Sequence, residues 1–170
     1  MNYLICMIAA LSLIASGCAQ TGILDSIEKS NDAAAIEESV MEKKANIGEP
    51  KLLAGTNSKY YRFDKTHYEK SLQEGKIIFL DFHASWCPIC RSEHPDILAA
   101  FNELNNEEVV GYQVHYNDDE TNEEDKEMAK KFGITYQHTK VFLNKNGEVA
   151  LKSLEVFSKD KIINEISKLA

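Results

Sequence analysis

The chain has 170 residues, of which 44% are hydrophobic and 27% are charged, as is usual for a globular protein. This length predicts one domain together with some additional sequence. The net charge of −8 argues against binding to nucleic acid and gives no indication of binding to an anionic membrane surface.

The N-terminus has the pattern of a targeting segment. Leu4 to Ala15 is an apolar run that is short for a bilayer span and typical of a signal-peptide core. Ala15-Ser16-Gly17-Cys18 follows it and resembles the lipobox of bacterial-type lipoproteins, in which the cysteine is lipidated and becomes the new N-terminus. We therefore expect residues 1–17 to be a signal peptide and Cys18 to carry lipid. An uncleaved anchor and plain secretion are the alternatives, and all three place the domain outside the cytoplasm.

Residues 18–58 are predicted to be a solvated spacer that begins at the lipid-bearing cysteine. Between Thr21 and Pro50 the sequence is rich in Ala, Glu, Lys, Ser and Asn and has few large apolar residues. Such a composition favours an extended, solvated tether over a packed core. The folded domain is predicted to span residues 59–170.

Strand and helix patterns alternate along this domain. β-branched and aromatic runs predict strands at Lys59–Phe63, Lys76–Phe82, Val109–Tyr116, Thr139–Leu143 and Glu148–Phe157. Helices are predicted to begin after Asp64, at Pro88, at a capping box of Thr121 and Glu124, and at Ser158. The acidic run Asn117–Glu127 is interpreted as a solvated loop and helix start. The order βαβαβαββα predicts an α/β domain with a mixed central sheet and helices on both faces.

The stretch from Asp81 to Cys90 contains the residues that indicate a chemical function. Cys87 and Cys90 are separated by two residues, which suits either a small disulfide ring or one side of a metal site. Pro88 favours the first turn of a helix, so Cys87 is predicted to lie between a buried strand and that helix. The helix N–H groups would lower the pKa of the Cys87 thiol. A strand, a Cys-x-x-Cys and a helix in a βαβ setting are typical of a redox centre.

These residues resemble the thioredoxin superfamily. The similarity rests on an aspartate six positions before the first cysteine, a proline five positions after the second, and the residues between them, namely Asp81, Phe82, Ala84, Trp86 and Pro95. It covers roughly Tyr60 to Ala170. The resemblance implies the thioredoxin fold and a redox-active Cys87–Cys90 disulfide, with substrate contacts by Trp86, Pro88, His138 and Thr139.

Within this motif, we expect Cys87 to attack the substrate disulfide and Cys90 to release the product. The resemblance implies that Asp81 exchanges a proton with Cys90, and burial among apolar strand residues would raise the pKa of Asp81 towards neutrality. His83 shares a strand face with Asp81. It is expected either to stabilise the Cys87 thiolate or to fill space.

Gln137-His138-Thr139 departs from the superfamily pattern, which has a cis-proline at the position of His138. A cis bond before a non-proline residue costs about 2.5–4 kcal/mol, so we expect a trans or distorted loop there. The sequence resembles a subset of bacterial thioredoxin-like proteins with Gln-His-Thr at this point. His138 has three candidate roles: catalysis, packing, or a metal site completed with Cys87 and Cys90.

The sequence therefore predicts a membrane-tethered, extracytoplasmic thiol–disulfide oxidoreductase, with reduction of substrates favoured over oxidation. No cofactor and no stable metal are expected. The expected partners are protein thiols and disulfides, an upstream membrane or soluble thiol-redox protein, and the membrane itself through the lipid anchor. A metal-handling protein of the copper-delivery type and a non-catalytic binding module are the alternatives.

Overall fold

The computed structural model describes residues 48–170. Six strands lie within this range: β1 Leu52–Ala54, β2 Lys59–Arg62, β3 Ile77–His83, β4 Val109–His115, β5 Thr139–Leu143 and β6 Val149–Ser153. The helices of the same range are α1 Lys65–Gln73, α2 Pro88–Glu103, α3 Glu123–Lys131 and α4 Lys159–Ser167. The predicted signal peptide, Cys18 and most of the predicted spacer lie outside the described residues.

The strands form one mixed sheet in the order β1-β2-β4-β3-β5-β6. β2, β4 and β3 are parallel, whereas β1, β5 and β6 each run antiparallel to a neighbour. The apolar core on one face includes side chains of α1 and α3, and the core on the other face includes side chains of α2 and α4. The predicted α/β architecture, with a mixed sheet and helices on both faces, is confirmed.

Strand β3 lies inside the sheet and carries Asp81 and His83, two residues that the sequence analysis singled out. All seven of its residues are buried. Ile78, Leu80 and Phe82 belong to the core under α1 and α3, while Ile77 and Phe79 belong to the core under α2 and α4. Because side chains alternate along a strand, Asp81 and His83 lie on the α2 side.

Helix starts are set by side-chain caps. Asp64 Oδ1 accepts from the His67 N–H at 2.7 Å, and Ser158 Oγ accepts from the Lys161 N–H at 3.3 Å, as their positions in the sequence predicted. The capping box of α3 was predicted one residue too early, because it is formed by Asn122 and Asp125.

The displaced capping box has a physical reason. The Thr121 hydroxyl donates to Asp118 Oδ1 at 3.0 Å instead of capping the helix. Asp125 is fixed by Arg62, 2.5 Å from its Oδ2. The side chains of Asp118 and Asp125 are fully buried, so the interpretation of the acidic run as solvated is wrong at these two positions.

The sheet begins earlier than the predicted domain boundary at Lys59. Leu52–Ala54 pairs antiparallel with β2, although it lies in the segment that we predicted to be a spacer. Gly55 then turns the chain with φ of +88°, where a Cβ would collide with the Ser58 carbonyl. Within residues 48–170, none of the helices is long and apolar enough to span a bilayer.

Candidate active site

The cysteine pair lies where β3 meets α2, as predicted. Cys87 is the N-cap of α2, and Pro88 occupies the first turn. The Cys87 sulfur accepts a hydrogen bond from the Cys90 N–H at 3.3 Å, because an N-cap side chain points at the free N–H groups of the first turn. Both cysteines are free thiols.

The two thiols differ in acidity. Burial alone would raise the pKa of Cys87, but hydrogen bonds from Cys90, the Ile89 N–H and the Gln137 side chain outweigh burial and lower that pKa below its usual value. Burial, reinforced by the Cys87 sulfur and the charge of Asp81, raises the pKa of Cys90 to about 12. Cys87 is therefore the more acidic of the two thiols and forms a thiolate at a lower pH than Cys90.

Exposure does not separate the two cysteines. The exposed fraction of Cys87 is 1% and that of Cys90 is 3%. Their pKa values, and not their accessible surface, distinguish the two thiols. Exposed apolar side chains lie next to the pair in sequence or in the facing loop, namely Trp86, Ile89 and Tyr136.

The predicted contact residues Trp86 and Thr139 are held by backbone carbonyls. Trp86 leaves its ring exposed while its Nε1 donates to the Asn117 carbonyl at 2.8 Å. Thr139 opens β5, and its hydroxyl donates to the Tyr136 carbonyl at 2.7 Å. These bonds fix the two chain segments that flank the cysteine pair.

Asp81 lies buried on the α2 side of β3. Burial raises the pKa of its carboxyl from 3.8 to about 7, and the nearby charge of Glu93 acts in the same direction. Lys140 and a hydrogen bond from the Tyr60 hydroxyl to Oδ2, 3.2 Å long, oppose this rise. An acid with a pKa near 7 can both accept and return a proton at neutral pH.

Tyr60 is a site residue that the sequence analysis missed. Its ring stacks on Phe101 with centroids 5.1 Å apart, and its neighbour on β4 is Gly111. A Cβ at Gly111 would lie 2.7 Å from the Tyr60 ring, so the glycine makes room for the tyrosine. The phenol thereby reaches Asp81 from two strands away. The glycine within an apolar strand was the only signal in the sequence for this packing.

His83 lies beside Asp81 with 4.0 Å between its Nδ1 and Oδ2. Burial, together with the rings of His94 and His115, lowers the pKa of His83 to about 4. The ring is therefore neutral at neutral pH and carries no charge with which to stabilise a thiolate. Of the two predicted roles for His83, this geometry favours filling space.

His138 faces the cysteine pair. One ligand atom each of Cys87, Cys90 and His138 lies within 4.8 Å of the others. The residue has φ of +52°, a left-handed backbone that agrees with the expected distorted loop and that proline, fixed near −65°, cannot adopt. Its buried Nδ1 has no hydrogen-bond partner among residues 48–170. Burial and the charge of Lys140 lower the pKa of its imidazole.

Comparison with known proteins agrees with this fold. The matching family model is Thioredoxin, over residues 59–168, which is more than half of the chain. Thioredoxin H2 of Arabidopsis thaliana is 28% identical over 130 residues, covering 72% of this chain and 90% of that protein. The structure of thioredoxin f from spinach chloroplast matches with a TM-score of 0.53 at 21% identity, over 69% of this chain and 98% of that chain. Thioredoxin from Aeropyrum pernix matches with a TM-score of 0.53 at 15% identity, over 74% and 98%.

The strand order and these matches confirm the predicted thioredoxin fold. At the level of the family, thioredoxins are thiol–disulfide oxidoreductases that act on protein disulfides. The chain belongs to the thioredoxin family.

Proposed function

We propose that this protein is a thiol–disulfide oxidoreductase that reduces protein disulfides on the extracytoplasmic side of a membrane. The observation that carries the proposal is the difference in acidity between Cys87 and Cys90 at the start of α2, with the buried acid Asp81 beneath them. Disulfide exchange uses three such groups: a first thiol of lowered pKa, a second thiol of raised pKa, and an acid that titrates near pH 7.

The exchange runs in two steps. The Cys87 thiolate attacks one sulfur of the substrate disulfide, forms a mixed disulfide and expels the other sulfur as a thiolate, which takes a proton. Asp81 then accepts the Cys90 proton, and the Cys90 thiolate attacks the Cys87 sulfur. The second substrate sulfur leaves as a thiolate and takes up a proton, and Asp81 releases the proton that it accepted. The substrate gains two electrons, the protein is left with a Cys87–Cys90 disulfide, and an upstream thiol-redox protein reduces that disulfide again.

A redox titration of the Cys87–Cys90 pair tests this direction. We expect a potential near the thioredoxin value of about −270 mV, and turnover of insulin disulfides when the pair is kept reduced. The measurement is the fraction of free thiols in dithiothreitol buffers of graded potential. A potential near about −120 mV, the range of strong disulfide oxidants, would reverse the proposed direction.

The membrane tether is the part of the proposal that rests on the sequence alone. Ala15-Ser16-Gly17-Cys18 after an apolar run supports lipidation of Cys18. Mass spectrometry of protein extracted from membranes should find a diacyl or triacyl mass on an N-terminal Cys18, and Cys18→Ser should release the protein from the membrane fraction. An intact Met1 in that fraction would contradict cleavage and leave the uncleaved anchor.

Metal handling is the second candidate, and the closeness of Cys87, Cys90 and His138 favours it. Two thiolates and an imidazole provide three ligands with a fourth position open, as at many metal sites that exchange ligands. If metal handling is the function, reduced protein should bind one Zn²⁺ or Cu⁺ per chain, and formation of the disulfide should abolish that binding.

His138→Asn separates the roles of His138, because asparagine tolerates a positive φ and proline does not. If His138 is a metal ligand, the variant should bind metal about tenfold more weakly, or weaker still. If His138 instead crowds the groove beside Cys87, the variant should reduce insulin faster, with no change in metal content. If neither quantity moves, His138 contributes packing alone and the metal candidate loses its third ligand.

A further inference from the structure

A buried ion pair joins the active-site helix to strand β5. Lys140 Nζ lies 2.6 and 2.7 Å from the two carboxylate oxygens of Glu93, and the side chains are 0% and 1% exposed. Glu93 Oε1 also accepts the backbone N–H of Phe157 at 2.6 Å. One carboxylate therefore ties together α2, β5 and the segment that leads into α4.

Stability does not explain why these charges are buried. Taking two charges out of water costs as much as their attraction returns, and apolar residues of similar volume commonly replace such pairs without loss of stability. The surroundings suit apolar side chains, since the Phe157 ring lies 5.4 Å from Lys140 Nζ. A role in the chemistry of the site is the alternative reason for keeping the charges.

The position of the pair points to that role. Lys140 is the residue directly opposite Asp81 in the antiparallel pairing of β3 with β5, so both side chains lie on the α2 side of the sheet. Glu93 is a buried residue of α2, which packs over this face. The two charges act on Asp81 with opposite signs, because Glu93 disfavours a second carboxylate and Lys140 favours one.

We propose that Glu93 and Lys140 are positioning residues whose paired charges, held beneath the active-site helix, determine how readily Asp81 exchanges its proton with Cys90. This inference rests on the proposed function of the cysteine pair. The titratable groups that face Asp81 come from four elements and are Tyr60 on β2, His83 on β3, Cys90 and Glu93 on α2, and Lys140 on β5. Within this set, the ion pair supplies the two opposed charges that act on Asp81.

Removing each charge separately gives shifts of opposite sign. The measurement is the titration midpoint of the Asp81 carboxyl carbon, followed by NMR in the reduced protein and assigned with Asp81→Asn. Glu93→Gln should lower the midpoint by about one pH unit, and Lys140→Met should raise it by a similar amount. In the double variant the midpoint should lie between that of Glu93→Gln and the wild type, because Glu93 has the larger effect of the two. The acid limb of the rate profile should follow the same order.

A second ion pair, in which the carboxylate is fully buried, provides the control. Arg62–Asp125 joins β2 to a different helix, α3, and Asp125→Asn should lower stability while leaving the Asp81 midpoint in place. A merely structural role for Glu93 and Lys140 predicts midpoints that do not move, or that all move in one direction, and either result overturns the inference. If the single variants do not fold, the double variant alone must show a midpoint below that of the wild type.

The NMR midpoint requires no turnover, which keeps the two proposals separate. Opposite midpoint shifts in a protein that reduces no insulin would overturn the proposed function and leave the electrostatic effect intact. Normal insulin reduction with unmoved midpoints would overturn only the role of Glu93 and Lys140.

Discussion

Replacing Asp81 by asparagine is expected to stabilise the reduced protein by up to about 4 kcal/mol above pH 7 and by almost nothing below pH 4. The carboxyl is 2% exposed and its pKa is raised from 3.8 to about 7 by burial. Between these two pH values the folded state holds a proton that the unfolded state has lost, so the wild-type protein loses stability as the pH rises. At about 1.4 kcal/mol for each pH unit, the loss is complete near pH 7. Asparagine carries no charge at any pH and avoids it.

Urea denaturation of both reduced proteins at several pH values measures this difference in the free energy of unfolding. Asp160→Asn is the control, because its side chain is 80% exposed and the change should stay within about 0.5 kcal/mol. A constant difference between Asp81→Asn and wild type from pH 4 to pH 8 would contradict the raised pKa. The same variant should slow disulfide exchange near neutral pH, so that stability is gained where activity is lost.

Replacing Cys87 and Cys90 by serine, one at a time, should block different steps of disulfide exchange. Cys87→Ser removes the nucleophile and should lower the rate of insulin reduction by at least about 10³-fold. Cys90→Ser leaves the attack intact and removes the release step, so it should accumulate mixed disulfides with substrate proteins. Non-reducing electrophoresis followed by mass spectrometry would identify these adducts.

Alkylation of the two variants against pH checks the assignment directly. Cys87 should react at a lower pH than an ordinary cysteine, whereas Cys90, with a pKa of about 12, should react only in strong base. Cys87→Ser serves as the matched control in the trapping experiment and should yield few adducts. If Cys90 proved to be the more acidic thiol, the assignments of the attacking and the releasing cysteine would be reversed.

Local patterns in the sequence predicted the centre of the site. Pro88 marks the helix start, the apolar run before Asp81 marks the buried strand, and Cys87 lies between them. These features depend on neighbours within a few residues, which a single sequence displays. The fold class followed from the order of such elements.

Contacts between distant parts of the chain could not be predicted in this way. Glu93 and Lys140 lie 47 residues apart, and each alone reads as an ordinary surface charge on a helix or a strand. Tyr60 reaches Asp81 only because Gly111 makes space on the strand between them. The three-residue strand β1 lacks a periodic pattern long enough to recognise, and its pairing with β2 is a property of the assembled sheet.

Gly111 also has an evolutionary consequence. The absence of a side chain there is what lets the rings of Tyr60 and Phe101 stack over β4, so the three positions form one steric unit. A homologue with a larger residue at position 111 is expected to carry a smaller one at position 60 or 101. Where position 60 is the one that shrinks, the buried aspartate loses its phenol hydrogen bond. Covariation among these three positions should therefore mark the relatives that retain a tyrosine beneath the active-site acid.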